Sequence, residues 1–579
     1  MYKLIVIFSL FFAPFLCKAQ KVMLSLYYQN TVSHMAVLDS VEAKNKVHDF
    51  IEKQREDGYL GVQIDTLIFH NDSIRCFVDL NKKYTHIQIN KHNLTEEYAE
   101  DESGLCMNLA AFSKLQSQIL YNYENNGYPF VSISLTQPQI RTDTLLCDLI
   151  VEPYIQFKYD TLRIIGNASV SKKYISNYLG IIPGKIYREQ DVMNIDNRLQ
   201  NLPIVQLKSA SQAIFNRGIV QLILHLDDAV IDRFDGIVGI APNSTNQDKN
   251  DLLVTGEINI GLNNLFQSGQ QLELQWKNYL KNSQKLDISV GLPYLLNTKI
   301  GINGEMKLNK FDTLFVNIAS KLAVRYQNKG NDYLQFYYQN INSNLLNVDT
   351  NAVRTLKRIP DNNPYQIDNY GLAIFHQKID HISNPRKGFS LLTDVAIGQK
   401  TIQRDNDIAQ MQFFDQTIGK YISLYDTLKI KHTRLDVNID ISSFIPIMKK
   451  STIHQRLAFQ GLFSDQIFFS ELHNFGGFST LKGFDENEFF ASKLLRYTIE
   501  YRYLISKNSH IGMFFNMGAY QNDLIQKSEL YDTPLGIGFI CNLQVGQGLL
   551  NLAYALGSEQ GNGFQLNTAK IHFGIINYF

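Results

Sequence analysis

Leu495-Arg496-Tyr497-Thr498-Ile499-Glu500-Tyr501-Arg502-Tyr503 sorts its side chains by parity. The odd positions are aliphatic or aromatic; Arg496, Thr498, Glu500 and Arg502 fill the even ones. Successive side chains of a strand point to opposite faces, so one face suits hydrocarbon and the other a wet, charged interior. A strand on one side of a soluble sandwich also alternates. Charged residues opposite an aromatic-aliphatic face recur through the segment 231–579, and this recurrence favours a transmembrane barrel.

The parity continues at the end of the chain. Ile571, Phe573, Ile575 and Phe579 share one face, Lys570, His572 and Tyr578 the other, and Asn577 interrupts the apolar side. A strand ending on Phe579 is the terminal signal expected of an outer-membrane barrel. A membrane strand takes roughly 9–11 residues, so 231–579 predicts an all-β barrel of about 16 antiparallel strands. Closure requires 570–579 to pair with the first strand, near 234–240, because an open edge in lipid leaves backbone groups unpaired. Glycine weakens strands; Gly236, Gly239 and Gly574, with Phe579, therefore mark a candidate seam.

Before residue 230 the texture is α+β. Three segments, 20–82, 83–153 and 154–230, read as β-α-α-β-β repeats. In the third, a strand over 157–165 ends at Gly166-Asn167, and Ser169 or Ser171 caps a helix to Tyr178. Gly180 and Pro183-Gly184 break it, a second helix spans 188–199, and strands near 204–215 and 218–226 turn at Asn216-Arg217-Gly218. The second repeat has a strand at 84–89, a helix at 109–124, and strands at 130–135 and 144–151. The first has a helix over 36–55. Each unit packs helices on one face of a small sheet, leaving edges that can accept an extended peptide; the bland alternative is a spacer.

The first 19 residues read as a signal peptide. Lys3 starts it, 4–16 is apolar, and Cys17-Lys18-Ala19 precedes cleavage before Gln20. Acylation of Cys17 is disfavoured by its neighbours Phe15 and Leu16. No later stretch is apolar enough for a membrane helix, and mean hydropathy is −0.17. The 31 Tyr and 36 Phe suit aromatic girdles. Lys+Arg and Asp+Glu balance at 55 each, so nothing points to nucleic acid. Cys76, Cys106, Cys147 and Cys541 form no CxxC pair and read as buried free thiols, with a disulfide among the first three as the alternative in an oxidising periplasm. There is no GxSxG or HExxH, 180–185 is one residue short of a phosphate loop, and the histidines are scattered. We expect no catalysis, no metal and no cofactor.

Several motifs together resemble the BamA/TamA superfamily of outer-membrane assembly factors. They are Gly166-Asn167 with 179–187; Asn264-Leu265-Phe266 with Gly269; Pro293-Tyr294-Leu295; and Asp380 with Pro385-Arg386-Lys387-Gly388. The most specific is Phe475-Gly476-Gly477-Phe478-Ser479-Thr480-Leu481-Lys482-Gly483-Phe484, similar to that family's sixth extracellular loop. The resemblance implies periplasmic POTRA repeats on a 16-stranded barrel. It implies a loop tip at Leu481, Lys482, Gly483 and Phe484 folded into the lumen. The family's tip arginine is Lys482 here and its acidic partner is Asn516; Lys482 is therefore expected to pair with a lumenal carboxylate, Glu500 first.

The expected partners are unfolded outer-membrane or secreted client proteins and outer-membrane lipid, with accessory lipoproteins or an inner-membrane partner as further candidates. The leading reading is an assembly or translocation factor. A two-partner-type secretion pore, and a passive porin or surface receptor, are the alternatives.

Overall fold

The computed structural model describes residues 22–37, 39–70, 73–90, 105–242, 252–280, 282–416, 419–524, 530–546 and 548–576. The expected signal peptide, Asn577, Tyr578 and Phe579 lie outside them. The chain forms two compact units, 1–158 with 186–189, and 159–185 with 190–579.

The first unit contains two small sheets. In one, Thr31–Val37, Val22–Tyr28, Ser73–Asp79 and Gln63–Phe69 lie side by side, with the central pair parallel. The second repeats that plan with Leu105–Asn108, His86–Ile89, Thr144–Glu152 and Ser132–Arg141. Each sheet carries one described helix, Ser40–Glu56 or Leu109–Asn125, capped by Asp39 and Asn108. The two-helix plan is corrected in the first repeat alone; in the second, residues 91–104 lie outside the described residues. In the first repeat, Gln29 and Asn30 both take positive φ, the geometry of a two-residue hairpin turn, so residues 31–37 return as a strand. Cys76 and Cys147 are buried free thiols as expected; Cys106 is free but exposed.

Most of the third repeat, 159–185 and 190–230, belongs to the second unit. Ser171 caps the helix Lys172–Leu179, which ends at Gly180 with φ 75°. The predicted 188–199 helix is two short ones, Glu189–Met193 and Ile195–Gln200, which meet at Asn194, the N-cap of the second; its side chain bonds back to the Gln190 carbonyl at 2.6 Å. The strands Val205–Asn216 and Ile219–Asp228 turn at Arg217 and Gly218, and Arg163–Ile165 adds a parallel strand.

Among the described residues, sixteen strands then form one sheet, each antiparallel to the next. They are β1 (Arg233–Pro242), β2 (Leu252–Asn263), β3 (Gln271–Leu280), β4 (Ser283–Leu292), β5 (Ile300–Phe311), β6 (Phe315–Gln327), β7 (Tyr333–Leu345) and β8 (Tyr365–Ile379). The second half is β9 (Gly388–Ile402), β10 (Lys431–Met448), β11 (Ser451–Phe463), β12 (Lys493–Ser506), β13 (Ser509–Asn522), β14 (Leu535–Val545), β15 (Gly548–Ser558) and β16 (Lys570–Ile576). A short piece, Leu530–Asp532, extends the sheet at β13. No described helix is long and apolar enough to cross a membrane.

The predicted parity holds. Leu495, Tyr501 and Tyr503 are exposed, whereas Arg496 and Glu500 are buried. On β16, Ile571 and Phe573 are 71% and 66% exposed. Closure differs from expectation. Among the described residues no ladder joins β1 to β16; β1 pairs only with β2, and β16 pairs over seven residues with β15. Gly236 and Gly239 lie opposite Ile258 and Thr255, and Gly574 opposite Asn551.

Candidate functional site: a folded-in loop and its seat

The connection between β11 and β12 is the sixth on the side away from the third repeat. Its root is a buried charge cluster. Lys400 on β9, 0% exposed, binds the Glu471 carboxylate and donates to the Gln466 carbonyl at 3.0 Å. Arg434 on β10 reaches the other Glu471 oxygen at 2.6 Å and Asp436 at 2.9 Å. The Lys400 ammonium also lies 3.9 Å over the Phe468 ring. Two cations face two carboxylates, which offsets the cost of burying them. Around the same root, Val353, Ile359, Ile408, Met411, Tyr425 and Phe468 from three long connections share one apolar core.

A small hairpin, His473–Phe475 with Phe489–Ala491, carries the loop inward. Phe475 stacks on Phe489 at 4.9 Å, and Phe484 meets Phe489 edge-on at 5.0 Å. Gly476 and Gly477 turn the chain at φ 120° and 88°. Thr480 Oγ1 donates to the Gly476 carbonyl at 2.6 Å, and Glu486 accepts from the Phe478 amide at 2.8 Å. Leu481 and Phe484 are buried with Phe475, Phe489 and Leu494.

The tip rests on a row that crosses four strands, Thr498 on β12, Asn516 on β13, Gly536 on β14 and Gly557 on β15. Asn516 Nδ2 donates to the Lys482 carbonyl at 3.2 Å. A Cβ on Gly536 would collide with that carbonyl oxygen, and one on Gly557 with the carbonyl of Gly483. Glycine inside a strand permits close backbone approach, and here two of them admit the tip. Sequence reading missed Gly536 and Gly557, although strand-interior glycine was the signal that could have found them.

The expected Lys482–Glu500 pair is corrected. Glu500 accepts from Arg502 Nε at 2.8 Å and lies 3.3 Å from His510 Nε2. These neighbours on its own and the next strand satisfy it first. The Lys482 ammonium instead lies between the rings of Phe478 and Phe514, at 5.3 and 5.2 Å. Beyond the tip, Asp485 takes both carboxylate contacts to Lys570 on β16 at 2.8 Å, and Phe478 lies 6.1 Å from the His572 ring. The loop therefore touches the last strand as well as the wall.

The remaining motifs serve the third repeat. Asn264 holds the Ser169 carbonyl at 2.8 Å, and Gly269 leaves room for the Tyr174 ring. Tyr294 meets Tyr174 edge-on at 5.5 Å, and the Gly330 amide donates to the Tyr178 carbonyl at 2.8 Å. Lys329 pairs with Asp191 at 2.5 Å. Asp380 accepts the amides of Arg386 and Lys387 at 2.9 and 3.1 Å, which closes the turn into Gly388.

No protein-family model matches the sequence, and no curated protein does. Solved structures do. CdiB from Escherichia coli aligns at TM-score 0.52 and 11% identity, over 93% of this chain and 98% of that one. CdiB from Acinetobacter baumannii gives 0.49 at 13%, over 97% and 91%. BamA from Haemophilus ducreyi lacking POTRA domains 1–3 gives 0.41 at 14%, over 86% and 100%. The E. coli likeness carries the fold. With its antiparallel barrel strands and a loop folded against their inner wall, the chain shares its fold with that E. coli CdiB structure.

Proposed function

We propose that the protein inserts or translocates unfolded client polypeptides at the seam between β1 and β16, in the outer membrane. The observation that carries this reading is the pair of edge strands with no ladder between them among the described residues. An unpaired edge offers backbone donors and acceptors to an incoming strand. The connections on the side of the third repeat are all short, and the long ones, such as 346–364, 403–430 and 464–492, lie opposite; this matches periplasmic turns and external loops, so the repeats are read as POTRA-like and periplasmic. There they would receive outer-membrane or secreted clients, with accessory lipoproteins or an inner-membrane partner docking on the same arm. Outer-membrane lipid beside the seam would be locally thinned, which lowers the cost of insertion.

Depletion in the native cell, followed by quantification of the outer-membrane and secreted proteomes, tests the reading. Loss of many barrels would identify a general assembly factor, and loss of one or a few a dedicated transporter of the two-partner type. No change in any exported protein would refute both and favour a porin or receptor.

A further inference from the structure

At the end of the barrel that carries the third repeat, a cavity of about 190 Å³ lies between the helix Lys172–Leu179 and the inner wall. Tyr174 and Tyr178 line it on the repeat side, Tyr294 and Tyr333 on the barrel side, and Arg325 on β6 supplies a charge. The Nε and Nη2 groups of Arg325 both donate to the neutral Gln335 Oε1, at 3.0 and 2.8 Å. Its guanidinium lies 4.0 Å over the Tyr333 ring, which stacks on Phe375 at 5.4 Å. Among the described residues no carboxylate comes within ion-pair distance of Arg325, and Nη1 has no acceptor. Burial pushes the phenols of Tyr174 and Tyr294 up, so both stay donors, and neither hydroxyl has a hydrogen-bond partner among the described residues.

The cavity thus presents one cation, two spare phenol donors and aromatic walls. One positive charge matches a singly charged anion. A cavity of roughly 150 Å³ holds benzene, so this one admits a single ring with a small head group. We propose that it binds a monocarboxylate bearing one aromatic or similarly sized apolar group, supplied as a free acid or as the C-terminal residue of a polypeptide. This inference does not rest on the transport reading.

The test is fluorine NMR on the full-length protein in detergent, with N-acetyl-4-fluorophenylalanine, its amide, and a short peptide ending in the same residue. The acid should bind, and the amide should bind weaker by about tenfold or more, as loss of a charged hydrogen bond implies. Arg325→Gln should weaken the acid by a similar factor. Tyr174→Phe, which keeps the ring, should weaken it less and serves if the first variant fails to fold. Binding of the peptide as well as the acid would identify a chain terminus as the source; binding of the acid alone would identify a small molecule. Equal binding of acid and amide, unchanged binding by folded Arg325→Gln, or no binding at millimolar concentration would overturn the proposal.

Discussion

Asn516 donates its side-chain amide to the backbone carbonyl of Lys482 at 3.2 Å, so the bond that seats the loop tip does not use the Lys482 side chain. An acidic residue at 516 would set a carboxylate oxygen against a carbonyl oxygen. Asn516→Asp should therefore release the tip, raising protease cleavage near residue 483. Were the tip held through the Lys482 ammonium, the same change would tighten it, and cleavage would fall. Lys482→Met keeps the backbone carbonyl that Asn516 binds and should raise cleavage less than Asn516→Asp does.

Gly536 and Gly557 leave the space that the tip occupies. Gly536→Val and Gly557→Val should each expel it while the barrel still folds. Single-channel recording should then show a larger conductance than the parent protein, with heat-modifiable gel migration preserved. Unchanged conductance in both variants would mean that the seat does not control the lumen.

Glu471 is the carboxylate on which Lys400 and Arg434 converge. Breaking a buried pair leaves an uncompensated charge, at a cost of about 3–5 kcal/mol. Glu471→Ala should destabilise the barrel by that order in urea unfolding from lipid vesicles. Lys429→Ala, which removes an exposed partner of Asp465, should leave the unfolding midpoint nearly unchanged, because exposed ion pairs contribute little.

The arm offers a check by thiol labelling. Burial pushes the Cys147 thiol up to about 11 and the Cys76 thiol in the same direction, whereas Cys106 is exposed. The thiolate is the nucleophile, so near neutral pH maleimide should modify Cys106 first. Labelling of Cys147 should wait for unfolding, or rise only as the pH approaches its raised value.

Local rules made much of this legible. Parity of two placed Arg496, Glu500, Leu495 and Tyr501 on the correct faces, and Ser171 with Gly180 fixed both ends of a helix. Two-residue turn chemistry at Gln29-Asn30 was harder to read, because neither residue is the glycine that such turns favour. What escaped entirely is long-range. The Lys400–Glu471–Arg434 cluster joins two wall strands to a connection more than one strand away. Its members are, in sequence, ordinary inward charges. Likewise, parity alone set Arg502 beside Glu500, but the contact from His510 on the next strand needs the register that only the fold supplies.

The most direct test of the seam is a scan of cysteine pairs, one from 234–240 on β1 and one from 570–576 on β16, with each disulfide formed in the native membrane. The account predicts that locking the seam abolishes client assembly and that reduction restores it. Full assembly activity in the oxidised, cross-linked protein would contradict it.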